Sequence, residues 1–282
     1  MNVQTPTQHQ LDYQPCRYGG AKFAFRGPAK RLKGDYVVFL GGTETFGTFI
    51  RTPFPELVEQ QTGFACLNLG CRKGGLDSYL STPSLIDICS MAKVTVIEAT
   101  GAPNMTNRFY SVDPRHNNRF LRASRLMKSV FFGVDFTGVE TTDDLLGLLA
   151  REAGDRLPLL SRELQTAWVA RMRSLVRQIG GPVVLLWAAD HTPFSANDGG
   201  TTCRAPLFID RAMLNAVMED ADHLVEVVVS PKDIMSGFDQ MKFSEKDSQS
   251  AAEMLGPVAH DRIASALAPV LDGIVRPMAV DA

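Results

Sequence analysis

No Cys-x-x-Cys pair occurs in the chain, and its five cysteines, at positions 16, 66, 71, 89 and 203, are odd in number. Neither a disulfide framework nor a thiolate zinc site fits that usage, so reduced thiols and no metal are expected. Long apolar runs are also missing. The first twenty residues, opening Met1-Asn2-Val3-Gln4, are polar and hold no apolar core of the kind a signal peptide requires, and no later stretch reaches transmembrane length. A soluble, cytoplasmic protein with no membrane span is the expectation. An excess of one charge is absent too: 29 Lys and Arg stand against 31 Asp and Glu, for a formal net charge of -2. That balance gives no footprint for nucleic acid.

What is present is enough apolar material for a large core. The 282 residues are 45% hydrophobic, near the upper size for one domain. Five apolar runs, Tyr36 to Leu40, Ala65 to Leu69, Val94 to Ala99, Val183 to Ala188 and Leu224 to Val229, show little polar alternation. Strands buried on both faces read this way. Helix-compatible stretches between the runs point to parallel strands with crossover helices, that is, a three-layer α/β/α fold with five strands in the order 2-1-3-4-5. Residues 36–275 are read as one such domain, with 1–35 as an N-terminal extension packed on it.

The clearest helix precedes the fourth run, where Leu164, Trp168, Met172, Leu175 and Ile179 recur at helical spacing before Gly180-Gly181-Pro182 ends it. The last helix spans about 251–271, and Gly256-Pro257 starts its main body. Roughly sixty residues separate the third run from the long helix, too many for a plain connection. A helical cap over about 105–160 is expected, with Thr141-Thr142-Asp143-Asp144 as a helix start inside it.

In an open parallel sheet, ligands bind beyond the carboxyl ends of the strands. Those positions hold Gly41-Gly42-Thr43-Glu44-Thr45-Phe46-Gly47, Gly70-Cys71-Arg72-Lys73-Gly74-Gly75, Gly101-Ala102-Pro103-Asn104 and Asp190-His191. Gly41-Gly42-Thr43 lacks the ending of a P-loop and the glycine spacing of a dinucleotide site, and Glu44 would oppose an anion. No cofactor is expected. Cys71 reads as a buried, inert thiol.

The order of these blocks resembles the SGNH, or GDSL-like, hydrolase superfamily. The Gly-Gly-Thr-Glu-Thr-Phe-Gly segment is more closely similar to a bacterial domain-of-unknown-function family marked by Gly-Gly-Thr-Glu-Thr-aromatic-Gly, a likeness that implies no activity. The SGNH resemblance implies a flavodoxin-like α/β fold, Thr43 as nucleophile, and an oxyanion hole from Gly70 N–H and Asn104. It departs from the family pattern in Gly42 for aspartate, Thr43 for serine, and no aspartate after Asn104. Two histidines compete for the role of base. His260 lies in Ala259-His260-Asp261-Arg262-Ile263-Ala264, which resembles a later helix segment of the family, and on that register Met254 stands where the catalytic histidine would be. His191 ends an apolar strand, and strand alternation predicts that Asp190 faces away from it.

The most polar stretch contains Asn107, Arg108, Arg115, His116, Asn117, Asn118 and Arg119. Guanidinium groups with amides suit a carboxylate, a phosphate or sugar hydroxyls. Gly42, Glu44, Gly70, Asn107, Arg108, Arg115, Arg119 and Asp190 are therefore candidate substrate contacts. The sequence reading is an esterase or acyltransferase acting on a small polar or carbohydrate-like ester. Its alternatives are an inactive binding protein for an anionic or glycan ligand, and a transferase whose anionic donor is held by the arginines.

Overall fold

The five apolar runs form strands: the first four are buried nearly throughout, while the last, at the sheet edge, departs from the expected burial on both faces and alternates buried Val225 and Val227 with exposed Glu226 and Val228. The five are β1 (Tyr36–Gly41), β2 (Ala65–Gly70), β3 (Val94–Glu98), β6 (Val183–Ala189) and β7 (His223–Val228). The computed structural model describes residues 11–194 and 204–277. Cys203 and residues 1–10 of the expected N-terminal extension lie outside them. The strands are all parallel, in the order β2-β1-β3-β6-β7. Counted without the β4 and β5 hairpin described below, that is the 2-1-3-4-5 order read from the sequence.

Period-two alternation divides the sheet between two cores. Val38, Leu40, Leu67, Leu69, Ile97, Leu185 and Trp187 face one side, under α3 (Leu76–Leu80), α4 (Pro83–Ser90), α7 (Leu157–Ile179) and α8 (Arg211–Val217). Val37, Phe39, Cys66, Val94, Val96, Val184 and Leu186 face the other, under α2 (Phe54–Thr62) and α11 (Pro257–Val275). α7 carries the expected stripe, with Leu164, Trp168, Met172, Leu175 and Ile179 all buried, and Gly180 ends it in the left-handed region. After the short α9 (Pro231–Met235), the last helical stretch is split where Gly256-Pro257 requires, into α10 (Ser248–Ala252) and α11. Phe25, Tyr18 and Ala21 of the N-terminal segment are buried in the first core.

The insertion after β3 differs from a purely helical cap. It opens with an antiparallel hairpin, β4 (Tyr110–Val112) and β5 (Phe120–Ala123), before α5 (Arg125–Val130) and α6 (Thr142–Glu152). α6 starts at the expected place: Thr141 and Asp144 form a capping box. No helix among the described residues is long and apolar enough to cross a membrane.

Candidate functional site

Four strand ends meet at one pocket of about 640 Å³, and the segment that leads into α11 borders it. Its lining includes Gly42, Thr43 and Glu44 after β1, Lys73 and Gly74 after β2, Glu98 and Asn104 at and after β3, Asp190 and Arg204 after β6, and Glu253, Met254 and Leu255.

The turn after β1 is short and tightly held. α1 (Thr43–Phe46) is a single turn whose N-terminal donors need acceptors. Glu98 supplies them: its Oε2 accepts from Gly42 N at 3.0 Å, from Thr45 N at 3.1 Å and from the Thr45 hydroxyl. α1 rests directly on β2 because Gly70 has no side chain there. A Cβ at 70 would come closer than 3.0 Å to the Phe46 amide nitrogen and the Thr45 carbonyl carbon.

Thr43 and Asn104 converge through one residue. Thr43 Oγ1 accepts from Lys73 N at 3.0 Å, and Asn104 Nδ2 donates to Lys73 O at 3.5 Å. The Lys73 backbone, at φ 53, turns both its polar groups to this purpose. Asn104 Oδ1 is held by the Thr142 hydroxyl at 2.7 Å.

Other expectations are corrected. Gly70 is not in the pocket lining, and its N–H donates to Asn68 Oδ1 at 2.9 Å, so it offers no free oxyanion donor. Asn107 is a turn residue: its Oδ1 accepts from Phe109 N and Tyr110 N. Arg108 forms an ion pair with the buried Glu163 of α7, donating from Nε to Oε2 at 2.6 Å. Arg115 and Arg119 are exposed on the hairpin and do not line the pocket. The cations that do are Lys73 and Arg204, alongside Glu44, Glu98, Asp190 and Glu253. Carboxyl groups therefore outnumber cations in the pocket, and the expected arginine contacts to an anionic ligand are absent from its lining.

Neither histidine serves Thr43. His260 is fully buried in α11, stacks on Phe54, and accepts Phe54 N–H on Nδ1 at 3.1 Å. Burial, assisted by the Arg26 charge, pushes its pKa down to about 3. The ring is therefore neutral and carries its proton on Nε2, which points to Glu44 Oε2 at 3.9 Å. His191 packs against Trp187 and Phe194. Its Nδ1 lies 2.7 Å from Asp190 Oδ1, contrary to the alternation argument, because β6 ends at Ala189 and the chain bends there. Asp190 also pairs with Arg204; burial opposes its charge, but these two partners hold its carboxyl below the usual range.

Glu44 is the most perturbed carboxyl at the site. Burial, and then the charge of nearby Glu98, raise it to about 8, against a lowering bond from Leu255 N at 3.3 Å. Burial raises Glu98 as well, opposed by its hydrogen bonds to α1. Sequence reasoning missed Glu98. The signal was a carboxylate inside Val94 to Ala99, a run buried on both faces, where an ionisable group needs a reason to be.

No curated protein matches the chain by sequence. Among solved structures, the chain is similar to an extracellular lipase from Streptomyces rimosus at 13% identity, covering 86% of this chain and 100% of that one, with a TM-score of 0.40. It is similar to the acetyl xylan esterase Est2A from Butyrivibrio proteoclasticus at 8% identity, covering 89% and 66%, with a TM-score of 0.41. A carbohydrate esterase family 2 enzyme with a carbohydrate binding domain, from Corynascus thermopiles (Myceliophthora fergusii), is similar at 10% identity, covering 88% and 69%, with a TM-score of 0.39. These are likenesses of chain path, and no residue role is carried across them. A family model matches residues 1–275, and the chain accordingly belongs to the family described as Domain of unknown function (DUF6473).

Proposed function

We propose that the protein is a binding member of its fold class, holding a small polar or glycan-type molecule in the pocket without hydrolysing an ester through Thr43. The observation that carries this reading is the isolation of the Thr43 hydroxyl. Activating a hydroxyl requires a base at hydrogen-bond distance, directly or through a water. Thr43 Oγ1 instead accepts a backbone N–H from Lys73. Of the five histidines, His9 lies outside the described residues, His116 is exposed beside Asp113, and His223 opens β7. The remaining two are committed to Asp190 and to Phe54. A pocket of about 640 Å³ with carboxylates, an amide and apolar walls from Ala188, Leu207 and Ile234 suits a hydroxylated ligand.

Ester hydrolysis or acyl transfer is a second reading, favoured by the Glu44 carboxyl at about 8 beside Thr43, in the range of a working acid or base. A transferase with an anionic donor has less support, since Arg108, Arg115 and Arg119 lie away from the pocket. Short-chain acyl esters separate the first two. We expect no turnover above that of Thr43→Ala, together with saturable heat on titration with mono- or disaccharides. Turnover that is lost in both Thr43→Ala and Glu44→Gln would overturn the binding reading in favour of catalysis.

A further inference from the structure

We propose that the ligand carries a primary amine whose ammonium group seats against the Glu44 and Glu98 carboxyl groups, which makes the pocket a receptor for an amino sugar or a comparable hydroxylated amine. This rests on the binding reading above and narrows its ligand class.

Both carboxyl groups line the same pocket, and among the described residues neither pairs with a lysine or arginine. Glu98 commits Oε2 to α1, while its Oε1 receives no hydrogen bond among the described residues. Glu44 takes one backbone donor on Oε1, leaving Oε2 without a hydrogen bond. Two half-buried acids that share one pocket are costly to ionise together without a counter-charge, and relief comes from a proton or from a cation.

A second observation points the same way. His260 is fully buried, its Nε2 makes no hydrogen bond of full geometry although the Leu255 backbone lies near enough to favour its charged form weakly, and that Nε2 stands 3.9 Å from Glu44 Oε2. Since Nδ1 is an acceptor for Phe54 N–H, Nε2 is a donor, and it serves Glu44 best when Glu44 is ionised. A ligand cation that favours ionised Glu44 would therefore bring the orphaned Nε2–H a charged partner.

The cation fits an ammonium better than a metal. A calcium ion takes six to eight oxygen ligands, and among the described residues no group of three or more His, Cys, Asp or Glu could hold a metal ion. An ammonium group has three donors, which Glu98 Oε1, the Glu44 carboxyl and one further oxygen would satisfy. The other charged groups lining the pocket with Glu44 and Glu98 are Lys73, Asp190 paired with Arg204, and Glu253, and the Arg26 charge acts on His260. The proton balance is simple. Below about pH 8 Glu44 is mainly protonated, and on seating the ammonium it gives that proton to solvent.

The test is calorimetry on the full chain at pH 7 with D-glucosamine, D-galactosamine and D-mannosamine, their N-acetyl derivatives and the neutral parent sugars, in two buffers of different ionisation heat. We expect an amino sugar to bind at least tenfold tighter than its neutral and N-acetyl counterparts, with a net release of less than one proton, since the uncharged fraction of the amine takes up a proton as Glu44 gives one up. Glu44→Gln should abolish the proton release, and Glu98→Gln should lower the preference for the amine even if the first variant folds poorly. Equal affinity for the amino, N-acetyl and parent sugars would overturn the amine while leaving the binding reading intact. Absence of binding by every sugar would overturn both.

Discussion

The imidazole of His260 and the carboxyl of Glu44 stand 3.9 Å apart, Nε2 to Oε2, with the ring wholly inside the protein. Their ordinary charges are both suppressed, the histidine to about 3 and the acid up to about 8. The two act on stability with opposite signs. His260 is depressed, so its contribution is complete above its unfolded pKa and is lost as pH falls from about 6.5 towards 3. Glu44 is raised, so its contribution is complete below about 4.5 and is lost as pH rises towards 8. Between about 4.5 and 6.5 the slopes cancel. We expect urea unfolding to show a plateau there, with a fall on each side on the order of a few kcal/mol. Glu44→Gln should remove the alkaline fall and leave the acid one, and an unchanged alkaline limb would show that another group is responsible.

Glu98 gathers three donors of the α1 turn on a single oxygen. Glu98→Leu leaves those donors buried without an acceptor, which should cost about 3 kcal/mol or more. Thr45→Val removes one donor and should cost about 1 kcal/mol. The double variant should cost less than the sum, because the Thr45 hydroxyl has no orphan penalty once Glu98 is gone. Chemical denaturation of the three variants measures the coupling, and strict additivity would mean that the Thr45–Glu98 bond contributes nothing.

Close backbone approach fixes Asn104. A Cβ at Gly75 would stand closer than 3.0 Å to the Asn104 carbonyl oxygen and carbon. Gly75→Ala is expected to lose about 2 kcal/mol or more of stability and to weaken ligand binding with it. Gly147 lies inside α6 with only Arg151 Nη1 nearby, at 3.4 Å. There Gly147→Ala should add roughly 0.5–1 kcal/mol through helix propensity, with binding unchanged. Thermal melts with calorimetry on both variants check the contrast.

The arginines of the insertion should not contribute to recognition. Arg108→Ala strips the buried Glu163 of its partner, and we expect a lower Tm with ligand affinity intact. Arg115→Lys and Arg119→Lys should alter neither. A loss of affinity in any of the three would bring the hairpin back to the pocket.

Four strands were legible because burial on both faces makes them read as apolar runs, and the edge strand β7 was legible from its valines although exposed Glu226 interrupts them. The hairpin was not, since β4 and β5 are three and four residues long and set exposed Leu121 and Arg122 beside buried Tyr110, Val112 and Phe120. At the site, strand ends located Thr43, Asn104 and Asp190 in one pocket. Position along the chain could not say which way Asp190 and His191 turn, because the rule of alternating faces stops with the strand at Ala189. The arginines failed for a related reason: Arg108 finds its acid on α7, 55 residues away, and no local pattern announces that.

The 23-residue α7, about 35 Å long, lies along the sheet and fastens several loops of the pocket region. Trp168 Nε1 donates to Thr100 O at 2.8 Å, Arg171 grips Asp77 and the Thr106 carbonyl, and Gln165 reaches Phe208 O and Asp210. Loops so tied share one fate. Backbone amides near 100–106 and 207–210 should exchange with deuterium as one cooperative unit, at a rate set by the departure of a whole helix and not by the fraying of separate turns. A ligand entering this cavity meets walls that are already in place, and most of its binding free energy is left for discrimination instead of for ordering the receptor.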